Sequence, residues 1–290
     1  MSRIVYVNGA YVPEEEAKIS VFDRAFLFGD AVYEVTAVLS GRLVDFAPHL
    51  ARLDRSLEEI ALAAPLSHEA LLALHLELVR RNGLDEGIVY LEITRGSAER
   101  DFAYPDRPSP NVVAFTQSRP LVAHPCAETG VKVVTIPDMR WKRRDIKSTS
   151  MLAQAMGKQE AKLRGAYEGW MVEDGVVTEG TSSSAFILDA KGVIRTQPLG
   201  YHILPGVTRR AILRLAALEG VALEERPFSV AEALDAREAF MTAASAFVLP
   251  IVEIDGVPIG DGRPGRVANR FRALYIEEAL NSSVGASAKA

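Results

Sequence analysis

The chain has 290 residues, 48% of them apolar and 24% charged, a formal net charge of −5 and a sequence pI near 5.7. That length holds one large domain or two modest ones, and the acidic balance argues against nucleic acid as a partner. A single cysteine, Cys126, excludes an intrachain disulfide and a cysteine-cluster metal site, and fits a reducing cytoplasm. The five histidines (49, 68, 75, 124, 202) show no metal-ligand spacing, no uncharged apolar run reaches the length of a membrane span, and no apolar h-region follows Met1. No metal, no membrane and no signal peptide are therefore expected, and a cytoplasmic location is.

From Arg3 to Val12 the pattern alternates around Asn8-Gly9, a strong two-residue hairpin signal, so Ile4–Val7 and Ala10–Val12 are expected to pair. A short aromatic and charged loop, Phe22–Asp30, leads into a strand over Ala31–Leu39. On that strand Tyr33, Val35 and Ala37 share one face and Glu34 and Thr36 the other. Leu50, Leu53, Leu57, Ile60 and Ala61 form a stripe at helical spacing, and Arg52 lies roughly opposite it, which by periodicity alone makes it a solvated charge. A second helix is expected from the N-cap Ser67 to Gly83. Strands follow over Ile88–Thr94 and Asn111–Gln117, separated by a long loop rich in proline and charge, Ser97–Pro110, a kind that is often functional.

The prolines at 120 and 125 mark a linker. The division expected is a small α+β domain over 1–118, a linker at 119–123, a larger domain over 124–281, and a small, polar tail over 282–290 expected to be disordered. In the larger domain, Val131–Ile136 reads as a buried strand and Ser148–Arg164 as a helix. Gly169–Glu173 and Val176–Glu179 form a hairpin about Asp174-Gly175. A strand over Ala185–Leu188 follows, then a helix opened by Pro205-Gly206-Val207-Thr208. Ser229 to Glu232 is a capping box. A strand over Ala239–Thr242, a short strand from Ile251 and a last helix over Pro264–Leu280 complete the chain.

Five of the ten residues from Arg140 to Thr149 are cationic, and Lys147 is one of eight lysines against twenty-five arginines. A basic, solvated surface run is the commoner meaning of such a stretch. The functional meaning is a catalytic amine: an amine attacks only when unprotonated, and both neighbouring cations and a helix N-terminus at Lys147 would favour that form. Three small-residue turns could present backbone N–H groups to an anion: Gly180 to Ser184, Gly206-Val207-Thr208 and Ala243-Ala244-Ser245. Each alone is more often an ordinary turn. Glu179, at a strand end, is a carboxylate of the kind that pairs with a cationic ring nitrogen, although most such residues are simply exposed. An amine, a carboxylate and anion cradles are together what a pyridoxal phosphate enzyme needs.

Five segments sharpen this: Phe28-Gly29-Asp30-Ala31-Val32-Tyr33-Glu34, His49-Leu50-Ala51-Arg52-Leu53, Asp145-Ile146-Lys147-Ser148, Thr178-Glu179-Gly180-Thr181-Ser182-Ser183 and Leu204-Pro205-Gly206-Val207-Thr208-Arg209. With them, in this order and over nearly the whole chain, the sequence resembles the fold-type IV pyridoxal phosphate aminotransferases, the family of D-amino acid and branched-chain aminotransferases. The resemblance implies an α+β fold. It has a small N-terminal α/β domain and a larger C-terminal β-barrel-like domain with helices, with pyridoxal 5′-phosphate in the cleft between them. It implies Lys147 as Schiff-base lysine and proton shuttle, Glu179 as partner of the pyridinium, Arg52 as a phosphate ligand against its periodicity, Val207 and Thr208 as phosphate donors, and Leu204 on the ring face. Ala243 and Ala244 stand where D-specific relatives carry two hydroxyl residues, so only backbone donors remain there, as in the branched-chain enzymes.

For the substrate, Tyr33 and Arg100 match the carboxylate trap of the D-amino acid enzymes. Phe102 replaces the histidine two residues after that arginine, so one donor is missing, and Arg143 or Arg144 is a candidate to share the task. Val35, on the Tyr33 face, joins this substrate group. The loop around Arg100 reaches the neighbouring subunit's site in the family, which implies a homodimer acting on small amino and keto acids. The expected reaction is ping-pong transfer between a D-amino acid, such as D-alanine, and a 2-oxo acid, such as 2-oxoglutarate. The alternatives are a branched-chain L-amino acid aminotransferase, which Ala243-Ala244 allows, an (R)-amine transaminase, which Phe102 allows, an aminodeoxychorismate lyase on the same fold, and a non-enzymatic phosphate-binding module.

Overall fold

In the computed structural model, which describes residues 2–285, the chain opens on the hairpin of β1 (Ile4–Val7) and β2 (Ala10–Pro13). Asn8 and Gly9 between them have φ of 48° and 94°, the left-handed pair that a two-residue turn needs to match strand twist. Next come α1 (Arg24–Phe28), β3 (Ala31–Leu39), β4 (Arg42–Leu43), α2 (Phe46–Glu59), α3 (His68–Arg81), β5 (Gly87–Thr94) and β6 (Val112–Ser118). The aromatic loop expected at 22–30 thus contains one short helix, capped by the Asp23 side chain on the Ala25 N–H at 2.7 Å. By Cα proximity these elements form one unit over residues 2–120, joined by Ile146–Ser150 and by residues 279–285.

The sheet of this unit is antiparallel throughout, in the order β2-β1-β6-β5-β3-β4. Strand alternation sends Val32 and Val38 of β3, Val89, Leu91 and Ile93 of β5 and Ala114 of β6 to one face. There they pack with Leu50, Leu53 and Leu57 of α2 and Leu71, Leu74 and Leu78 of α3. A fully buried leucine contributes about 2 kcal/mol, so this layer of six leucines is the main cohesion of the unit. The other face carries Tyr33, Val35, Tyr90, Glu92 and Phe115, all only partly buried. Because β4 covers only the end of β3 at Val38 and Leu39, the edge of the first half of β3 is left for another partner. Residues 147–149 take it: Tyr33 N–H donates to the Lys147 carbonyl and Thr149 N–H to the Ala31 carbonyl, each at 3.0 Å, with a bridge from Val32 to Ser148.

His75 of α3 is 1% exposed, stacks edge-on against Phe46 at 4.9 Å and donates from Nδ1 to the Leu71 carbonyl at 2.7 Å. Burial pushes its pKa down to about 4, against about 6.5 in an unfolded chain. Between those values the unfolded chain binds the extra proton. Stability is therefore complete above the unfolded value and is lost as pH falls from about 6.5, by on the order of 3 kcal/mol when the folded value is reached. His75→Phe is expected to flatten that part of a stability–pH curve measured by urea denaturation.

The second unit, Leu121–Asp145 with Met151–Glu278, contains β7 (Val131–Pro137), α4 (Leu152–Leu163), β8 (Glu168–Glu173), β9 (Val176–Gly180), β10 (Ser184–Leu188), β11 (Ile194–Thr196), α5 (Val207–Leu218), β12 (Leu223–Glu225), α6 (Val230–Leu234), β13 (Glu238–Ala243), β14 (Phe247–Ile254), β15 (Val257–Pro258) and α7 (Arg266–Ser282). Its sheet runs β12-β11-β10-β13-β14-β7-β8-β9, with β15 on β14. The parallel pair β7–β8 is joined through α4, the crossover that parallel strands require. The sheet curls until β9 returns beside β10, enclosing Val133, Trp170, Val177, Ile187, Met241 and Leu249. This is the expected barrel-like larger domain.

Within residues 119–123 Leu121 is fully buried, and Arg272 of α7 donates to the carbonyls of Leu121, Val122, Ala246 and Val248. One expectation needs correction here. The tail expected to be disordered from 282 begins as ordered chain: Ser282 ends α7, Ser283 is buried, and Val284 exchanges backbone hydrogen bonds with Leu43 at 2.7 and 2.8 Å. Unpaired backbone groups of β4 give those residues a partner that composition does not reveal. Residues 286–290 of that tail lie outside the described residues.

Candidate active site

Lys147 lies on the half-open face of the first sheet. Its backbone is fixed at both ends, the carbonyl by Tyr33 N–H and the N–H by the hydroxyl of buried Ser56 at 3.3 Å. Its Nζ stands 4.0 Å from the centre of the Tyr33 ring. Tyr33 stacks on Tyr90 at 5.4 Å and Tyr90 on Phe115 at 4.8 Å, so the amine faces a row of aromatic rings. The segment before α4 is irregular apart from the bridge at Ser148, and α4 starts only at Leu152. Lys147 is therefore not at a helix N-terminus, because the backbone groups of 147–149 serve β3 instead.

Behind the same strand, on the helix-covered face, Arg52 is 9% exposed rather than solvated. Its Nε and Nη2 donate to the two carboxylate oxygens of Glu34, each at 2.8 Å, and His49 Nδ1 lies 2.7 Å from Glu34 Oε2. The periodicity reading failed because α2 buries two faces, one apolar and one polar, the second against β3. Burial alone would push Glu34 up, but Arg52 and His49 outweigh it and hold the carboxyl well below the usual carboxylate range.

The loop after β5 is clamped by Arg24, itself 3% exposed, which donates to Asp30 at 2.7 Å and to the carbonyls of Asp101, Phe102 and Ala103 at 2.6, 3.3 and 3.2 Å. Arg95 stacks on Tyr104 with 3.5 Å from guanidinium to ring centre. Arg100 stands 5.5 Å from both the Phe28 and the Phe102 rings. Phe102 is 78% exposed and offers no polar group. The structure thus gathers Lys147, Tyr33 and Val35 on one sheet face, and Arg100 and Phe102 around Phe28.

In the second unit, Glu179 at the end of β9 is 5% exposed. Its carboxylate accepts the Leu204 N–H at 3.2 Å on both oxygens and is paired with Arg140, which also donates to Asp138 at 2.7 Å. Burial pushes the Glu179 carboxyl up, and Arg140 and the Leu204 N–H pull it back. Burial also opposes charge on Arg140, but Asp138 and Glu179 more than offset it and raise its pKa. The basic run proves to be internally neutralised. Lys142 and Arg144 engage Glu173, Arg144 also lies 3.1 Å from Asp138, and Arg143 pairs with Asp145 at 3.1 Å and covers the Tyr201 ring at 4.7 Å. It does not present bare positive charge. Thr208, 3% exposed in the first turn of α5, has a buried Oγ1 without a hydrogen-bond partner among the described residues. Gly206, the N-cap, makes no side-chain cap, and a Cβ there would come within 2.8 Å of Ser184 Oγ. Ala243 ends β13 and its carbonyl accepts the Ala246 N–H at 3.2 Å, with Ala244 in the turn.

The model of the family described as amino-transferase class IV matches residues 31–254. The chain belongs to the class IV aminotransferases. It is 37% identical over 279 residues to a D-alanine aminotransferase of Staphylococcus aureus, covering 94% of this chain and 98% of the relative. Among solved structures, a branched-chain aminotransferase of Thermoproteus uzoniensis with norvaline superposes with a TM-score of 0.84 at 28% identity, covering 97% of this chain and 96% of that one. A branched-chain amino acid aminotransferase from T.th., complexed with N-(5′-phosphopyridoxyl)-L-glutamate, gives 0.87 at 26% identity, covering 97% and 95%.

The protein is a pyridoxal phosphate-dependent aminotransferase with the fold of its family. Its residues fit that cofactor on their own chemistry. The unpartnered Thr208 hydroxyl and the uncapped start of α5 suit a phosphate, and the buried, anchored Glu179 suits a protonated ring nitrogen. Arg140, bonded to Glu179, and Glu34, bonded to Arg52, are partners that sequence reasoning missed. Each is tied to its partner across a long stretch of chain, which no local pattern reports; the one available signal was the alternation of β3, which set Glu34 off from the Tyr33 face.

Proposed function

We propose that this aminotransferase moves the amino group between a D-amino acid such as D-alanine and a 2-oxo acid such as 2-oxoglutarate, with Lys147 as the reacting amine. The observation that carries this reading is the fixed approach of Lys147 Nζ to the Tyr33 ring, in a chain 37% identical to a D-alanine aminotransferase over nearly its whole length. Pyridoxal phosphate, when bound, supplies the carbonyl carbon that receives the amino group and a ring that holds the electron pair released at the substrate Cα. Lys147 Nζ would hold and move the proton released at the substrate Cα. Glu179 would accept the ring N–H, with the Arg140 guanidinium paired beside it. Val207 and Thr208 would hold the phosphate, with backbone N–H groups at Ala243 and Ala244, while Arg52, oriented by Glu34, would add charge. Leu204 would lie on the ring side. Tyr33 and Arg100 take the substrate carboxylate, with Val35 and Phe102 bounding the substrate.

In the same reading the enzyme is a cytoplasmic homodimer whose Arg100 loop serves the neighbouring copy. In support, Phe26 and Phe102 beside that loop are 75% and 78% exposed, an apolar surface that a partner would cover. The single cysteine suits a reducing compartment. Among the described residues no helix is long and apolar enough to cross a membrane. A branched-chain L-amino acid aminotransferase is the second reading, favoured by Ala243-Ala244. Mixing the holoenzyme with D-alanine, L-leucine or an (R)-amine and following the cofactor absorbance separates them. D-alanine is expected to convert the spectrum, and conversion by L-leucine alone would overturn the first reading.

A further inference from the structure

The loop between β5 and β6 does little to hold itself. Among the described residues no backbone hydrogen bond joins residues 99–110 to one another. Two adjacent residues outside the loop fix its course. Asp23, fully buried, accepts the Thr94 hydroxyl at 2.8 Å and a hydrogen bond from the Asn111 side-chain amide, and so ties the two ends of the loop together. Arg24 holds the middle. Three consecutive carbonyls, those of Asp101, Phe102 and Ala103, converge on its guanidinium at 2.6, 3.3 and 3.2 Å. Its Nε is bonded to Asp30, and the same Asp30 oxygen takes Arg95 Nε at 2.8 Å. Arg95 is fixed in turn to the Ile60 carbonyl, just past α2, at 2.6 Å. A planar fork of five N–H donors grips a bend of chain in this way, which a single ammonium does not reproduce.

Arg100 stands immediately before the gripped residues. Among the described residues it makes no ion pair and no hydrogen bond, and its guanidinium lies 5.5 Å from the rings of Phe28 and Phe102. Arg24 lies over the same Phe28 ring at 4.7 Å. The two guanidinium groups are therefore linked twice, through the backbone of 101–103 and through one shared aromatic ring. We propose that Arg24 is a positioning residue for substrate recognition: it sets where Arg100 stands, and so sets the preference for molecules that carry an α-carboxylate. This rests on the reading of Arg100 as a ligand of the substrate carboxylate. Arg24 itself is buried and spends its hydrogen bonds on protein groups, so it acts through Arg100 rather than on the substrate. D-alanine and 2-oxoglutarate both carry an α-carboxylate, so both half-reactions depend on the same placement.

The test uses two reagents that trap the cofactor carbonyl through the same oxyamine group: aminooxyacetate, which carries a carboxylate, and hydroxylamine, which does not. The ratio of their second-order rate constants with the holoenzyme, followed by cofactor absorbance, reads carboxylate recognition alone, because a general structural defect slows both alike. The ratio is measured in the parent, Arg100→Ala, Arg24→Lys and Arg24→Gln. Lysine keeps a cation beside Asp30 but not the fork, and with glutamine Asp30 still has Arg95, so the two variants guard against a failure of either to fold. Both Arg24 variants are expected to lower the ratio by about tenfold to a hundredfold, the usual cost of misplacing a binding group from a distance. The KM for D-alanine should rise with it while kcat changes little. A ratio that falls in Arg100→Ala but stays at the parent value in the Arg24 variants overturns the role of Arg24 and leaves the Arg100 reading standing. A ratio unchanged in Arg100→Ala overturns that reading, and this inference with it.

Discussion

Lys147→Ala should lower the amino-transfer half-reaction with D-alanine by about 10⁴-fold or more, because in the proposed reading one change removes both the nucleophile that attaches the cofactor and the base that moves the Cα proton. The accompanying sign is spectroscopic: the absorbance of covalently held cofactor should disappear while the phosphate anchors still bind pyridoxal phosphate reversibly. Far-ultraviolet circular dichroism should be unchanged. The bonds that tie this segment to β3 are made by backbone groups of Lys147, Ser148 and Thr149, and alanine keeps them. Survival of the half-reaction in Lys147→Ala would remove the central assignment, since the second half of the basic stretch contains no other lysine.

Glu34→Ala should destabilise the protein by about 3–5 kcal/mol, the usual consequence of leaving one partner of a buried ion pair without the other. Arg52 would then hold a charge inside the layer between β3 and α2, with both of its Glu34 bonds gone, and His49 would lose its acceptor. Urea denaturation of the apoprotein reads this without reference to activity. Glu34→Leu combined with Arg52→Met should recover most of the stability, because an apolar pair of similar volume replaces a buried ion pair at little cost. The double variant should still bind pyridoxal phosphate more weakly than the parent, having lost the Arg52 charge. Recovery of both stability and cofactor affinity would show that the pair serves packing alone.

The parts of the fold that local chemistry dictates were legible in the chain. Asn8-Gly9 demanded its turn, Ser229 and Glu232 form the reciprocal capping box, and the leucines of α2 and α3 face the core as their spacing requires. The parts that failed depend on partners far away in sequence. Arg52 looked solvated because a helical wheel does not know that Glu34 waits on β3, eighteen residues earlier. The helix expected from Ser148 starts at Leu152 because β3 had an edge to fill. The strands β11 and β12 are three residues each, too short for any periodicity to register. The motif residues Lys147, Glu179 and Thr208 were proposed for the site from their order along the chain. What holds them was not: Ser56 beneath the Lys147 backbone and Arg140 on Glu179 become visible only when the chain folds. Arg140 to Arg144 mark the same lesson in reverse, since a run that reads as bare positive charge is paired residue by residue with carboxylates.

The most direct test of the account is to reduce the holoenzyme with borohydride, digest it and map the cofactor-derived mass by peptide sequencing. The mass is expected on Lys147, and prior incubation with D-alanine should prevent its attachment by converting the cofactor to its amine form. Attachment at Lys142 or Lys158 instead, or undiminished labelling at Lys147 after D-alanine, would contradict it.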